Sequence, residues 1–155
     1  MELLVVVGII AVLSGIILAA ISSARSKAKV AKMNEDFQTI YKSLEIQRYS
    51  QNKVMGQITG SFWTMGDSRC GLGTKNVQNM SASDPCLLFM DSQWQKLGFT
   101  KSMMDPWNAP YTFDENELEG GACSSHDLIF SAGLDGIYGT GDDYMFSVPF
   151  FSCPG

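Results

Sequence analysis

The motifs that this sequence lacks exclude several common classes of enzyme. The four cysteines include no CxxC pair. The single histidine, His126, cannot complete a Cys/His zinc set. Neither a GxSxG nucleophile motif nor a Walker A phosphate loop occurs. We therefore interpret His126 as a structural strand residue beside Asp127, and the sequence predicts no enzymatic activity.

Charge is missing from the N-terminal region, and proline is missing before Pro85. After Glu2, the run Leu3–Ala24 carries no charged residue. As a helix this run is roughly 33 Å long, which matches a bilayer core of about 30 Å. We therefore predict an apolar, membrane-spanning helix over residues 1–24.

The weakest position in this segment is Ser14-Gly15, because glycine costs a helix about 1 kcal/mol relative to alanine. Any local melting of the helix is expected at these two residues. A secretory signal peptide is the alternative, since small residues precede Ala24 and resemble a cleavage site. We favour a retained segment, because a signal peptide begins with basic residues, whereas here Glu2 comes first and Arg25 follows.

The helix is expected to continue over residues 25–51 with a single apolar stripe, because apolar residues recur there at spacings of three and four. The stripe consists of Val30, Met33, Phe37, Ile40 and Leu44. The other faces carry charged residues, among them Asp36 and Glu45. This amphipathic part should pack on a globular head.

The sequence predicts that the head, residues 52–155, is a small α+β domain. Asp84-Pro85 is a helix start, with aspartate as the N-cap and proline in the first turn, and Gly98 ends this helix. Three short strands are predicted in loops rich in glycine and aspartate. They are Tyr111–Phe113, Asp127–Ser131 and Tyr144–Val148. The predicted fold is α+β, a long N-terminal helix packed on a small antiparallel sheet.

All four cysteines lie in the head, and an even count in a small domain favours two disulfides and an oxidising compartment. Three pairings are possible. We favour Cys70–Cys86 and Cys123–Cys153, which would each join neighbouring loops. Four buried, reduced thiols are the alternative.

Charge is divided unevenly along the chain. Residues 1–53 carry a net charge of +3, and residues 54–155 carry a net charge of −8. The head has no basic stripe, so we expect no binding of nucleic acid by the head.

The N-terminus, Glu2-Leu3-Leu4-Val5-Val6-Val7-Gly8 followed by the basic stretch at Arg25, resembles that of type IV pilins and type II secretion pseudopilins. The resemblance implies that a prepilin peptidase removes a basic leader and that the glutamate lies four residues after the mature N-terminus. Only Met1 precedes Glu2 here, so either the given sequence starts late or the geometry at this end differs from that of the family. The resemblance also implies that Glu2 pairs with the terminal amine of a neighbouring subunit during filament assembly by inner-membrane machinery.

Two head motifs extend this resemblance to the G-type major pseudopilins. Asp105-Pro106-Trp107-Asn108-Ala109-Pro110-Tyr111 is similar to a turn of that family, and residues 131–143 are similar to its calcium loop. The resemblance implies a calcium ion held by Asp135, Asp142 and Asp143, with carbonyls of Leu134 and of Ser131 or Tyr138. An acidic, solvated hairpin loop is the alternative.

These features together predict a structural subunit that forms a helical homopolymer through its N-terminal helix. The subunit would lie in the inner membrane before assembly and in an extracellular pilus afterwards. A major pseudopilin in a periplasmic pseudopilus is the alternative. The alternative of another class is a membrane-anchored, monomeric calcium-binding or adhesive domain.

Overall fold

The computed structural model describes residues 2–60, 69–71, 73–119 and 124–151. These residues form three helices and one three-stranded sheet. In chain order the elements are α1 (Glu2–Gln51), α2 (Met55–Thr59), α3 (Pro85–Lys96), β1 (Thr112–Asp114), β2 (Leu128–Ser131) and β3 (Tyr144–Ser147). The predicted α+β class, with a long N-terminal helix and a small antiparallel sheet, is confirmed.

The chain divides into two compact units, Met1–Lys32 and Met33–Gly155, which we call the stem unit and the head unit. In the part of the stem unit whose side chains the structure describes, nine large apolar side chains are between 43 and 65% exposed. They are Val5, Val6, Val7, Ile9, Ile10, Val12, Leu13, Ile17 and Ile21. Among the described residues, no helix is both long and apolar enough to cross a membrane.

Helix α1 runs without a break through Ser14 and Gly15. The melting predicted at these two residues concerns an assembled filament, so it stays a prediction. Glu2 is the first residue of α1, and its side chain lies outside the described part of the chain.

The C-terminal part of α1 forms the centre of the head core. Its apolar stripe is buried at Met33, Phe37, Ile40 and Leu44, each at most 2% exposed, while Val30 is half-buried. Full burial of such a side chain contributes about 1.5–3 kcal/mol. The predicted amphipathic stripe is therefore confirmed over these four residues.

The sheet is an antiparallel meander in the order β1-β2-β3. Thr112 lies opposite Phe130, and Ser131 lies opposite Tyr144. The aromatic ring of Phe146 on β3 stacks on Phe37 of α1 at a centroid distance of 5.8 Å. The strands begin and end within one residue of their predicted positions.

The meander separates its connections into two groups. The described parts of the β1–β2 connection (115–119 and 124–127) and the segment after β3 (148–151) lie at one end of the sheet, which we call the tail end. The β2–β3 connection (132–143) lies at the opposite end, the loop end. This separation results from the antiparallel order of the three strands.

Helix α3 begins where its sequence predicts. The side chain of Asp84 accepts a hydrogen bond of 2.9 Å from the N–H of Cys86, and Pro85 occupies the first turn. Lys75 pairs with Asp84 at 2.8 Å, and this contact lowers the pKa of Asp84. The local chemistry of three residues therefore fixes the start of the helix.

The disulfide Cys70–Cys86 joins the first turn of α3 to the preceding loop, so this predicted pairing is confirmed. Cys123 and Cys153 lie outside the described residues. Their pairing stays a prediction.

Asp36 departs from its predicted position on a solvated helix face. It is 4% exposed and accepts a hydrogen bond of 3.2 Å from the hydroxyl of Tyr111. Burial, together with the neighbouring Asp36 carboxylate, raises the pKa of Tyr111 above its ordinary value. A buried carboxylate needs such a donor, because an unpaired charge in the core is heavily destabilising.

Candidate functional site

The loop end is organised by hydrogen bonds between its carboxylates and its own backbone. One carboxylate oxygen of Asp142 accepts the N–H groups of Leu134 and Asp135 at 2.7 and 3.0 Å. Asp143 accepts the N–H of Gly139 at 2.6 Å. These bonds tie the two ends of the loop together, and those donated by the backbone lower the pKa of Asp142.

Glycine is required at position 133, because the main chain there passes very close to Asp142. The φ of Gly133 is +63°, and a Cβ there would collide with the main-chain oxygen of Asp142. The chain can therefore make the turn before Leu134 only with glycine at this position.

The loop end is also tied to the segment before α3. Gln78 donates its amide N–H to the carbonyl of Leu134 at 2.9 Å, and Asn76 donates to the carbonyl of Asp135. The Val77 N–H donates to the carbonyl of Gly136 at 2.8 Å. The backbone of the loop tip is thus held on both sides, while the Leu134 side chain remains 72% exposed.

The predicted calcium ligands lie in this loop, but they are not gathered into a cluster. Within the described ranges, no group of three or more His, Cys, Asp or Glu side chains could hold a metal ion. Asp143 nevertheless keeps one buried carboxylate oxygen, Oδ1, without a hydrogen-bond partner. Burial raises the pKa of Asp143, and a bound cation would compensate such an oxygen.

The turn at residues 105–111 is built around one carboxylate. Asp105 Oδ1 accepts the N–H groups of Trp107 and Ala109, each at 2.9 Å. The main-chain N–H of Asp105 donates to the carbonyl of Ala109 at 2.7 Å. Asn108 sits in the left-handed region at φ 68°, which asparagine tolerates better than most residues.

The turn and the loop end form one connected unit. Ser131 donates its hydroxyl to the second oxygen of Asp105 at 2.5 Å, and Tyr138 donates to the carbonyl of Pro110. The Trp107 ring stacks on Tyr144 at 5.5 Å. The two motifs singled out in the sequence are therefore brought together by direct contacts.

No protein-family model, curated protein or solved structure matches this chain. The resemblance to pilins and pseudopilins therefore rests on the motifs themselves. Any assignment of function depends on those motifs and on the geometry that this fold gives them.

The tail end contains a buried ionic cluster that the sequence did not reveal. Arg48 is fully buried and donates to Glu117 at 2.8 Å, to Glu45 at 2.9 Å and to the carbonyl of Pro149 at 3.0 Å. Glu117 in turn accepts the N–H of Phe151 at 2.9 Å. The cluster fastens the segment after β3 to the end of α1.

Asp127 lies beside this cluster in an unfavourable electrostatic position. Its Oδ1 accepts the N–H of Glu117 at 2.7 Å, but its Oδ2 is buried without a partner. Burial raises the pKa of Asp127 to about 6, against the lowering effects of that hydrogen bond and of Arg48. Its neighbour His126 has its Nδ1 3.0 Å from the carbonyl of Val148 and stacks on Phe150.

Proposed function

We propose that this protein is the structural subunit of a type IV pilus-like filament and polymerises through its stem unit. One observation supports the proposal: the large apolar side chains that the structure describes between Val5 and Ile21 of the stem unit are 43 to 65% exposed in the single chain. Exposed apolar surface on this scale is typical of a segment that another molecule or a membrane covers.

Copies of the same helix are well suited to cover that surface. Removing apolar area from water contributes about 25 cal/mol per Å², and the stem carries no charge between Leu3 and Ala24. Before assembly the same segment would lie in the inner membrane. Glu2 would set the register between subunits, because an unpaired carboxylate is heavily penalised in a low-dielectric core.

The head unit would form the outer surface of such a filament. Its disulfide and its tied loop end favour a domain that keeps its shape outside the cell. We further propose that calcium binds at the loop end, with Asp143 as a carboxylate ligand and with Asp135, Asp142 and the Leu134 carbonyl completing the shell.

A second candidate function is the major pseudopilin of a type II secretion system. The contacts between the turn at Asp105 and the loop end favour it, because both motifs resemble those of G-type pseudopilins. A pseudopilus stays short and periplasmic, so the length of the polymer distinguishes the two functions.

The test is electron microscopy of material sheared from cells that express the full precursor. We expect filaments from the unaltered protein and none from Glu2→Ala. A matched control is Glu35→Ala, which removes an exposed carboxylate of the same helix outside the apolar run and should leave filaments intact.

Each outcome decides between the candidates. Long filaments that depend on Glu2 support a pilus subunit, whereas short ones that stay with the cell envelope support a pseudopilin. Membrane-bound protein without filaments in any strain would overturn both and favour an anchored monomer.

A further inference from the structure

A groove of about 460 Å³ opens at the tail end of the head unit. Its walls are mainly apolar or aromatic, with two amides, and are formed by Tyr49, Asn52, Val54, Gln57, Leu118 and Phe151. Tyr49 is 73% exposed and Leu118 is 40% exposed. Large apolar side chains held open to solvent around a concavity are typical of a docking site.

The groove wall at Leu118 follows directly on Glu117, a residue of the buried ionic cluster. Leu118 has a φ of +76°, which is rare for a residue with a bulky side chain. The neighbouring contacts along the chain are firm, because Glu117 is bonded both to Arg48 and to the N–H of Phe151. The groove therefore lies on the buried ionic cluster and not on a loose surface loop.

At the loop end, Leu134 projects a single apolar side chain that is 72% exposed. Its N–H donates to Asp142, and its carbonyl accepts from Gln78. With both backbone groups held, little backbone freedom is lost when this side chain enters a partner. Leu134 is thus a preorganised apolar knob.

Knob and groove lie at opposite ends of the sheet, because the β2–β3 connection carries Leu134 while the β1–β2 connection and the segment after β3 carry Leu118 and Phe151. A knob and a groove at opposite ends meet between two copies as a head-to-tail contact. Contacts of this type generate open filaments when the rotation does not close.

Charge is complementary between the same two places. Lys53 is exposed and lies between Asn52 and Val54, which both line the groove. Asp135 is exposed and comes directly after Leu134. In the calcium-free head, docking the knob would bring Lys53 and Asp135 together, which favours this orientation over others.

We propose that Leu134 of one subunit docks into the groove formed by Tyr49, Leu118 and Phe151 of a second copy of this chain. The contact joins successive head units within the polymer. This inference rests on the proposed function, since it names the contact by which the heads of that filament meet.

The deciding experiment is photo-crosslinking in cells that express the full chain with Leu134 replaced by p-benzoylphenylalanine. We expect crosslinks to peptides that contain Tyr49, Leu118 or Phe151 of another copy, identified by mass spectrometry. The matched control places the same probe at Leu88, which is 54% exposed on α3, and should not label the groove.

Electron microscopy of the same material separates this inference from the proposed function. Filaments without crosslinks to the groove overturn the head contact and leave the filament proposal standing. Crosslinks to the groove without filaments support the contact and overturn the filament. Absence of both, or capture of a different protein or a small ligand without filaments, overturns both.

A double-substitution cycle of Leu134 and Leu118 measures whether the two side chains act together on filament yield. A purely structural role of either residue would not produce such coupling. Leu134→Ala keeps the backbone carbonyl, and Leu118→Asn suits the positive φ, so both variants should fold with an unchanged head melting temperature. Each should reduce filament yield at least about tenfold. The combination should be no worse than either alone; additive losses, or an equal loss in Leu88→Ala, contradict the contact.

Discussion

Helix α1 places the same kind of residue in two opposite environments. In the stem unit, Val12 is 65% and Ile17 is 56% exposed, whereas in the head unit Ile40 and Leu44 are fully buried. Both parts are helical and rich in large aliphatic side chains, so helix propensity does not explain the difference. The stripe from Met33 to Leu44 is covered within the same chain, whereas the described large apolar side chains of the stem, from Val5 to Ile21, are exposed.

The two parts of α1 should therefore respond differently to substitution. A change in the head part should alter the stability of the single chain. A change in the stem part should alter assembly and leave that stability alone. Matched substitutions in the two units measure this contrast.

Arg48→Met should be the most destabilising change. It leaves Glu117 buried without its cation and releases the carbonyl of Pro149, and breaking a buried ion pair on one side costs about 3–5 kcal/mol. Chemical denaturation followed by near-ultraviolet circular dichroism measures this loss. The control Arg25→Met alters an exposed residue of the stem unit and should change the free energy of unfolding little. Equal losses in the two variants would contradict the difference between stem and head.

Leu44→Ala should lower the free energy of unfolding by about 2–5 kcal/mol, because it opens a cavity in the head core. Val12→Ala makes a smaller truncation in the stem and should leave head stability unchanged while it reduces the yield of filaments. Thermal unfolding and quantification of sheared material check the two halves of this prediction. A stem substitution that melts the head would show that the two units are not independent.

Asp127→Asn should stabilise the head at neutral pH. The pKa of Asp127 is raised from 3.8 to about 6 in the folded state, so the folded chain binds the proton more tightly than the unfolded chain. Stability therefore falls as the pH rises from about 4 to about 6, by roughly 3 kcal/mol. The asparagine variant lacks this fall.

Melting temperatures at pH 4 and pH 7.5 test the sign of the effect. The variant should match the unaltered protein at pH 4 and exceed it at pH 7.5, since the amide keeps an acceptor for the Glu117 N–H and carries no charge. Asp114→Asn on β1 serves as a control, because that residue is only partly buried. An equal increase in melting temperature at both pH values would show that titration of Asp127 is not the cause of the stabilisation.

Calcium should stabilise the head by an amount that depends on its concentration. At a hundredfold excess over the dissociation constant the gain is about 2.7 kcal/mol, and Asp143→Asn should abolish the response. Differential scanning calorimetry with calcium, with chelator and with magnesium measures it. A melting temperature that changes with neither calcium nor chelator would rule out the metal site.

The parts of the fold that the sequence predicted are those set by neighbouring residues. Asp84 caps α3 by a local hydrogen bond and Pro85 fits its first turn, and the stripe from Met33 to Leu44 depends only on helical spacing. The burial of Arg48 was not predicted, because its partners Glu117 and Pro149 lie 69 and 101 residues away along the chain. One signal was present, since Arg48 comes four residues after Leu44 and so continues the buried stripe.

The candidate site divides in the same way. The resemblance implied a loop in which Asp135, Asp142 and Asp143 bind calcium, and in the structure Asp142 accepts the N–H groups of Leu134 and Asp135. The same residues can satisfy either a cation or the backbone of the loop, so the sequence did not distinguish the two. It also named Leu134 for its carbonyl, whereas the exposed side chain depends on how Gln78 and Asp142 hold the backbone.

Cryo-electron microscopy of material sheared from cells that express the full precursor would test polymerisation through the stem unit most directly. We predict a helical polymer in which the stem segments, residues 5–21, pack against one another along the axis and the heads lie outside. The same map would show whether α1 melts at Ser14 and Gly15. A polymer with solvent-exposed stems, or no polymer at all, would contradict the proposed assembly.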